Sequence, residues 1–307
     1  KKTSMNIIAR LLISLSILSL IFTSCEEEPK NNDNQDVPSN IPADTTLVND
    51  SPIWLRHHDS PLKILAIGNS FTSNATAFMP WLINQLNGDS ICIARLIQTA
   101  CTLQMHWNSH LKDSPDYYFF YSDNGKWVNS DVKNIDTVLE LLDWDAIVIQ
   151  QASHLSGIYS TYQPYLDNLV SLFYETNPGA KLAWHYTWAY TPGTTNAAFK
   201  DYGSDSEKMY NAIIDAGDKA SKNFDITIPS ATLIKLMREE FKEVENGFTE
   251  DGLHISYDPA LFALTSLWYE KLITPSVGTS CLDFATLPST VNPEDAKRIQ
   301  KIIKTLY

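Results

Sequence analysis

The sequence predicts an α/β protein, a three-layer α/β/α sandwich with a mainly parallel central sheet. Short apolar runs alternate with longer amphipathic stretches along most of the chain. This alternation is typical of a sheet whose crossover connections place helices on both faces. We see no internal repeat, and residues 53–307 suffice for one well-buried domain. The expected strands are 64–67, 91–97, 145–149, 181–186 and 225–228, and the expected helices are 75–86, 161–176, 205–222, 231–245, 259–272 and 293–306.

The first residues have the features of an export signal. A basic start leads into an apolar stretch over 7–22, and small residues precede Cys25. This pattern is typical of a secretory signal, and a cysteine at the cleavage point resembles a bacterial lipobox. A membrane-spanning helix is the alternative, but a span needs about 20 apolar residues and serines interrupt this stretch. We therefore expect residues 1–24 to be a lipoprotein signal peptide and Cys25 to be lipidated.

The following segment, residues 25–52, is polar and lacks periodicity. Such a composition is typical of a disordered tether. The acidic run 26–28 resembles the surface-export tags of some lipoproteins, and a solvated linker is the alternative. We expect an exported lipoprotein that is periplasmic or anchored in the outer membrane, with exposure on the cell surface as a further alternative.

The acidic balance of the chain limits its partners. The net charge is −13 at pH 7, whereas binding of nucleic-acid phosphates needs clustered Lys and Arg. We therefore expect no nucleic-acid partner. Charge also disfavours adhesion to anionic lipid, so membrane attachment is expected to come from lipid chains at Cys25.

Ser70 directly follows the first expected strand, in the segment Gly68-Asn69-Ser70-Phe71. A residue at the carboxyl end of such a strand lies where open α/β sheets bind their ligands. A serine hydroxyl needs an imidazole to take its proton and a carboxylate to orient that imidazole. His254 and Asp251, three residues apart before the helix expected at 259–272, supply both groups. We expect Ser70 as nucleophile, His254 as general base and Asp251 as the orienting acid.

These segments resemble the motifs of the SGNH hydrolases, also called GDSL esterases. Residues 68–71 match the Gly-Asp-Ser-Leu block with Asn and Phe substituted, and residues 251–254 match the Asp-x-x-His block without change. The resemblance covers roughly residues 63–272 and is strongest to a poorly characterised bacterial branch marked by segments like 150–153 and 184–190. It implies a flavodoxin-like sheet and a Ser-His-Asp esterase.

The same resemblance implies three donors that stabilise the oxyanion. The first is the backbone N–H of Ser70, and the second comes from a glycine that is replaced here by Ala100 or Cys101. The third is an Asn side chain, which this chain lacks. His154 occupies the Asn position when residues are counted without gaps, whereas Gln151 offers an amide N–H at a strand end. We expect Ser70, Ala100 and Gln151 as the donors, with His154 as the alternative.

Residues 116–128 predict a β-hairpin insertion. Asn124-Gly125 lies between strand formers rich in aromatic residues, and Asn-Gly in that setting is a strong hairpin signal. The aromatic side chains either cover the core or line a site on which sugar rings stack.

Neither a metal nor a cofactor is expected. His106 and His110 are spaced to share one helix face, but no third ligand is evident in the sequence. After Cys25 three cysteines remain, Cys92, Cys101 and Cys281. One alternative is a disulfide between Cys92 and Cys101. The other, which is the commoner case, is that all three cysteines are buried free thiols.

The residues and the resemblance together lead us to expect a serine esterase. It removes acyl groups, in particular acetyl, from carbohydrates. The expectation of a sugar substrate is based on the predicted export, the tether and the aromatic residues, and it is an argument by analogy. The alternatives are a lipid-directed esterase or thioesterase, which needs an apolar acyl channel, and a non-catalytic glycan-binding lipoprotein.

Overall fold

The computed structural model describes residues 59–283 and 285–307. The predicted signal peptide, the tether and Cys25 lie outside these residues. The strands are β1 (Leu62–Gly68), β2 (Ile91–Ile97), β3 (Tyr117–Asp123), β4 (Lys126–Lys133), β5 (Ala146–Ile149), β6 (Lys181–His185) and β7 (Ile226–Ile228). All seven form one sheet in the order β4-β3-β2-β1-β5-β6-β7.

Five strands of this sheet are parallel, in the order β2-β1-β5-β6-β7. This is the flavodoxin-like order, and it confirms the predicted fold class. Every side chain of β5 is buried, and β1 and β2 are buried along almost their whole length, as expected for strands covered on both faces. Because the five strands are parallel, their carboxyl ends meet at one edge of the sheet.

Helices connect the strands and cover the sheet. They are α1 (Ser70–Ala75), α2 (Met79–Asn87), α3 (Leu103–Lys112), α4 (Ile135–Leu139), α5 (Tyr165–Thr176), α6 (Ser206–Ala220), α7 (Ser230–Glu240), α8 (Asp258–Leu272), α9 (Thr274–Val277) and α10 (Pro293–Ile303). Helix α8 packs against α1, α2, α7 and α10, while α3 packs against α4 and α5. Most side chains of α8 are buried, which is typical of a helix at the centre of a layer.

The structure differs from the sequence prediction in the helices between β1 and β5. The helix predicted over 75–86 is two helices, because Pro80 in the first turn of α2 has no N–H to donate and begins a new helix. Helices α3 and α4 were not predicted. Both begin at side-chain N-caps, Thr102 and Asn134, which accept hydrogen bonds from the backbone of the first turn.

Strands β3 and β4 form an antiparallel hairpin on the edge of the sheet beside β2. Asn124 and Gly125 at its turn both have positive φ, as a tight hairpin turn requires. Tyr117 and Phe119 are buried, whereas the side chain of Tyr118 is 52% exposed. Most of the hairpin aromatics therefore cover the core.

Cation–π contacts of Arg95 fix the hairpin to the neighbouring strand β2. The Arg95 guanidinium of β2 lies 4.6 Å from the Phe120 ring centroid and 4.3 Å from that of Trp127. The Trp127 indole N–H also donates to the Thr76 carbonyl at 3.0 Å. These contacts hold the Phe120 and Trp127 rings against the protein.

Cys92, Cys101 and Cys281 are buried free thiols. Burial raises the pKa of each thiol, so all three are protonated and unreactive at neutral pH. Among the described residues no helix has the length and apolar character needed to cross a membrane.

Candidate active site

Ser70 is the first residue of α1, two residues beyond the end of β1. Asn69 caps the helix by accepting a hydrogen bond from the Phe71 N–H at 3.0 Å. The connection is tight, since a Cβ on Gly68 would lie 2.1 Å from the Thr72 hydroxyl oxygen. This strand–turn–helix presents the Ser70 hydroxyl at the carboxyl edge of the sheet.

The structure brings the three predicted side chains together in one hydrogen-bonded chain. The Ser70 Oγ lies 2.8 Å from Nε2 of His254, across 184 residues of sequence. The His254 Nδ1 lies 2.5 Å from Oδ2 of Asp251. With the ring proton on Nδ1, Nε2 is free to accept the proton of the serine hydroxyl.

The surroundings of the Asp251 carboxylate favour its ionised form. Burial by itself would raise its pKa, but hydrogen bonds from the backbone and ring of His254 and from the Leu253 N–H outweigh that effect and hold the pKa below its usual value. Both backbone bonds end on Oδ1, each at 2.8 Å. The ionised carboxylate therefore holds the imidazole in a fixed orientation.

The loop that carries Asp251 and His254 is bonded to the segment that follows β6. The Thr191 N–H donates to the Gly252 carbonyl at 2.9 Å, and the Trp188 indole donates to the Leu253 carbonyl at 2.8 Å. Gly252 has a φ of +82°, and a Cβ there would lie 2.4 Å from that of Thr194. Only glycine fits this turn without displacing a neighbour.

A cavity of about 200 Å³ opens beside the chain of three side chains. Its lining includes Ser70, His254, Ala100, His154, Tyr190 and Asn196. These residues follow different strands, and the parallel topology gathers them at one edge.

Of the two residues expected at the second donor position, Ala100 lines the cavity and Cys101 does not. Ala100 has a φ of +52°, the left-handed region that favours glycine, and it lines the cavity. Cys101 is buried, and its Sγ lies 3.3 Å from Nδ1 of His106. The Asn69 amide holds this loop by donating to the Cys101 carbonyl at 3.2 Å.

Gln151, expected as the third oxyanion donor, has its side chain directed to other segments. Its Oε1 accepts from the backbone of Leu103 and Ala152 at 3.0 and 2.9 Å, and its NH₂ donates to the Thr161 hydroxyl at 3.1 Å. The side chain is buried and does not line the cavity. These neighbours are distant in sequence except for Ala152, so the strand-end position alone did not reveal the orientation.

His154, the alternative, does line the cavity. Burial lowers its pKa, and Asp201 offsets part of that effect. The ring is therefore neutral at neutral pH and carries one N–H donor.

Gln150 has a role in the site that sequence reasoning missed. Its Nε2 donates to Oδ1 of Asn69 at 2.8 Å, and its Oε1 accepts from the Thr72 hydroxyl at 2.9 Å and from Nδ1 of His185 at 2.7 Å. This network joins the ends of β1, β5 and β6 and includes Asn69, the residue before Ser70. Burial lowers the pKa of His185 to about 3, so its ring is neutral. The available signal was the run of polar residues directly after a buried strand.

The two histidines of α3 have separate partners. Nδ1 of His106 lies 2.8 Å from the Tyr117 hydroxyl, and Nδ1 of His110 lies 2.7 Å from the Asp136 carboxylate. In the part of the chain that the structure describes, no group of three or more His, Cys, Asp or Glu side chains could hold a metal ion.

The sheet order and the hydrogen-bonded Ser, His and Asp define a flavodoxin-like α/β protein with a serine triad geometry at the carboxyl edge. More particularly, the chain belongs to the family described as Domain of unknown function (DUF4886), whose model matches residues 63–304. A DUF4886 family protein from Bacteroides uniformis is 28% identical, with a TM-score of 0.73 over 80% of this chain and 95% of that one. Its structure shares the fold.

Two further solved structures are more distantly similar. One is a protein from Slackia heliotrinireducens with a provisional SGNH hydrolase description, 19% identical with a TM-score of 0.46, covering 68% of this chain and 98% of that one. The other is an acetylxylan esterase from Geobacillus stearothermophilus, 11% identical with a TM-score of 0.45, covering 71% and 96%. No curated protein matches the chain.

Proposed function

We propose that the protein is a serine esterase that removes short acyl groups, acetyl first among them, from carbohydrates. The observation that carries this proposal is the Ser70–His254–Asp251 chain, with distances of 2.8 and 2.5 Å, opening onto a small cavity. The Ser70–His254 distance is that of an ordinary hydrogen bond, and the His254–Asp251 contact is shorter than the usual N–H···O range. The geometry meets the requirement that a base reach the nucleophile and an acid orient the base.

The reaction follows from these positions. Ser70 Oγ attacks the ester carbonyl carbon while its proton passes to Nε2 of His254, and Asp251 stabilises the resulting imidazolium. The tetrahedral intermediate collapses, and the sugar hydroxyl leaves with the proton from His254. Water then attacks the acyl-enzyme with His254 as base, releasing the carboxylic acid and restoring Ser70.

The negative charge that develops on the carbonyl oxygen needs donors in the cavity. We assign the backbone N–H groups of Ser70 and Ala100 and the ring N–H of His154 to this role. His154 replaces Gln151 in the assignment because its ring lines the cavity, whereas the Gln151 amide is bonded to other segments. Donors fixed in advance of the reaction are among the largest contributions to catalysis.

Cavity size and lining support the substrate class. A volume of about 200 Å³ is below the usual range for drug-sized ligands and suits an acyl group of few carbons. Ser153 and Asn196 are among the polar lining residues and could bond sugar hydroxyls. A separate cavity of about 480 Å³ in the described residues is lined by other residues and does not include Ser70.

The test is hydrolysis of aryl esters of increasing acyl length, followed by acetate release from acetylated polysaccharides. We expect the highest kcat/KM with acetyl. Ser70→Ala is expected to lower turnover by at least about a thousandfold, since triad members act as a unit. Ser73→Ala, on the same helix as Ser70 but outside the cavity lining, is the matched control and should retain most activity.

Labelling with a fluorophosphonate identifies the nucleophile independently of the substrate. The proposal requires modification of Ser70. Labelling at another serine would overturn the assignment, and a preference for long acyl chains would point to a lipid-directed esterase. An inactive, unlabelled protein that binds polysaccharide would instead be a glycan-binding lipoprotein.

We also propose that the protein is an exported lipoprotein anchored through Cys25. The basic start and the apolar stretch before that cysteine support this. Cys25→Ala in the full chain should leave the protein soluble or unprocessed. An unmodified, uncleaved amino terminus found in native membranes by mass spectrometry would count against the anchor.

A further inference from the structure

Asn74 joins the helix of the serine to the loop of the histidine. It lies on α1 four residues after Ser70, a spacing that puts both side chains on neighbouring positions of one helix face. Its Oδ1 accepts from the Ile255 N–H at 3.1 Å, and its Nδ2 donates to the Ile255 carbonyl at 3.3 Å. Ile255 directly follows His254.

Two hydrogen bonds, one to the backbone N–H and one to the backbone carbonyl of the same residue, restrict rotation as well as translation of that residue. The other side-chain bonds to the carbonyls of residues 251–253 come from the segment after β6, through Trp188, Thr191 and Thr194. In the described part of the chain, Asn74 supplies the hydrogen bonds that tie α1 to this loop besides the Ser70–His254 bond itself. The Phe71 ring of α1 also packs 5.7 Å from the His254 ring, so Asn74 adds a hydrogen-bonded link to that packing contact.

We propose that Asn74 is a positioning residue that keeps Nε2 of His254 within hydrogen-bonding distance of Ser70 Oγ. The inference rests on the proposed esterase function. Its chemical reason is that proton transfer between the two groups is sensitive to displacements of about 1 Å, which typically cost on the order of a hundredfold in rate. Asn74 touches neither substrate nor reacting atoms, so it acts through His254.

Asn177 provides a matched control. Its amide makes the same two-way contact with distant backbone, accepting from the Trp144 N–H and donating to the Leu139 carbonyl, both at 2.9 Å. It is buried, and its partner Trp144 precedes β5, at the amino edge of the sheet opposite Ser70. Losing this amide should cost stability but leave the triad in place.

The experiment compares Asn74→Ala, Asn74→Asp and Asn177→Ala in the full chain. Asn74→Ala is expected to lower kcat on an acetyl aryl ester, and the rate of fluorophosphonate labelling, by about 10- to 100-fold, with KM changed less than about twofold. Asn74→Asp keeps the acceptor for the Ile255 N–H and should recover part of the loss. Asn177→Ala should keep wild-type kcat at a lowered melting temperature.

The inference is overturned if Asn74→Ala retains wild-type kcat, or if Asn177→Ala loses as much kcat for the same fall in melting temperature. Failure of the esterase proposal is seen separately, as an inactive wild type. In that case a crystal structure of Asn74→Ala decides. The inference requires the Ser70 Oγ to His254 Nε2 distance to exceed about 3.5 Å, and it fails if the wild-type hydrogen bond is retained.

Discussion

Gln151 and His154 follow the same strand and lie three residues apart, but their side chains have different surroundings. The Gln151 amide is bonded to Leu103 and Thr161, so it fixes two neighbouring segments. The His154 ring lines the cavity. Gln151 is therefore assigned a structural role and His154 a candidate oxyanion-donor role, and mutations can distinguish the two.

We predict that His154→Ala lowers turnover by about 100- to 1000-fold with little change in KM, because one preorganised oxyanion donor is lost. Gln151→Ala should mainly lower the free energy of unfolding, since it leaves backbone N–H groups without a partner. Ester hydrolysis and urea unfolding of both variants measure the two effects. If Gln151→Ala is the variant with crippled turnover at saturating substrate, the assignment of the donor must be reversed.

A second residue-scale prediction concerns Gly252, between Asp251 and His254. A Cβ at this position meets Thr194 at 2.4 Å, so Gly252→Ala should shift the loop, lower turnover by at least about tenfold and destabilise the fold. Gly278→Ala is the control, because Gly278 has a similar φ of +73° with no atom within 4 Å of an added Cβ. It should cost only the backbone penalty of about 1 kcal/mol, with normal turnover. A Gly252→Ala enzyme with wild-type activity would contradict this account.

At the scale of elements, the hairpin β3–β4 extends the sheet and covers its core. Trp127 stacks on Arg95 and bonds the Thr76 carbonyl, whereas Tyr118 on the same hairpin is about half-exposed. The site lining described above draws no residue from either strand. The hairpin is thus a stabilising element of the fold.

We predict that Trp127→Ala lowers the free energy of unfolding by about 2 to 4 kcal/mol, through lost packing and the lost cation–π contact. Tyr118→Ala should change it by less than about 0.5 kcal/mol. Both variants should keep normal kcat on small esters. Weakened polysaccharide binding by Tyr118→Ala would show instead that the hairpin forms a sugar-stacking surface.

For the whole molecule, two buried neutral histidines link stability to pH. Burial lowers the pKa of His106 and of His185 to about 3, from an ordinary value of 6.5. Below pH 6.5 the unfolded chain binds protons at these two positions while the folded protein does not. The folded state therefore loses stability as the pH falls from 6.5 toward 3.

Between pH 7 and pH 5 we expect the free energy of unfolding to fall by about 2 kcal/mol for each of the two histidines. His154, whose pKa is also lowered, adds a loss of the same sign. Urea unfolding at the two pH values measures the change, and His106→Gln should reduce the slope by about one proton. Equal stability of the wild type at pH 7 and pH 5 would contradict the buried, neutral state of these rings.

The sheet was predictable from the sequence, because alternating apolar runs and amphipathic stretches are local patterns that burial enforces. The sequence also determined the candidate nucleophile, since a residue after a parallel strand is carried to the carboxyl edge whatever the surrounding contacts. Asp251 and His254 could be predicted as a hydrogen-bonded pair because a spacing of three residues fits one tight turn.

Tertiary structure alone decided which side chains at that edge face the cavity. The orientation of the Gln151 side chain depends on its hydrogen bonds with Thr161 and Leu103. The two hydrogen bonds between Asn74 and Ile255 join residues 181 positions apart. Such contacts depend on how distant segments pack, and no local spacing encodes them. The chain order therefore places candidate residues at the edge, whereas long-range hydrogen bonds determine which of them can act together.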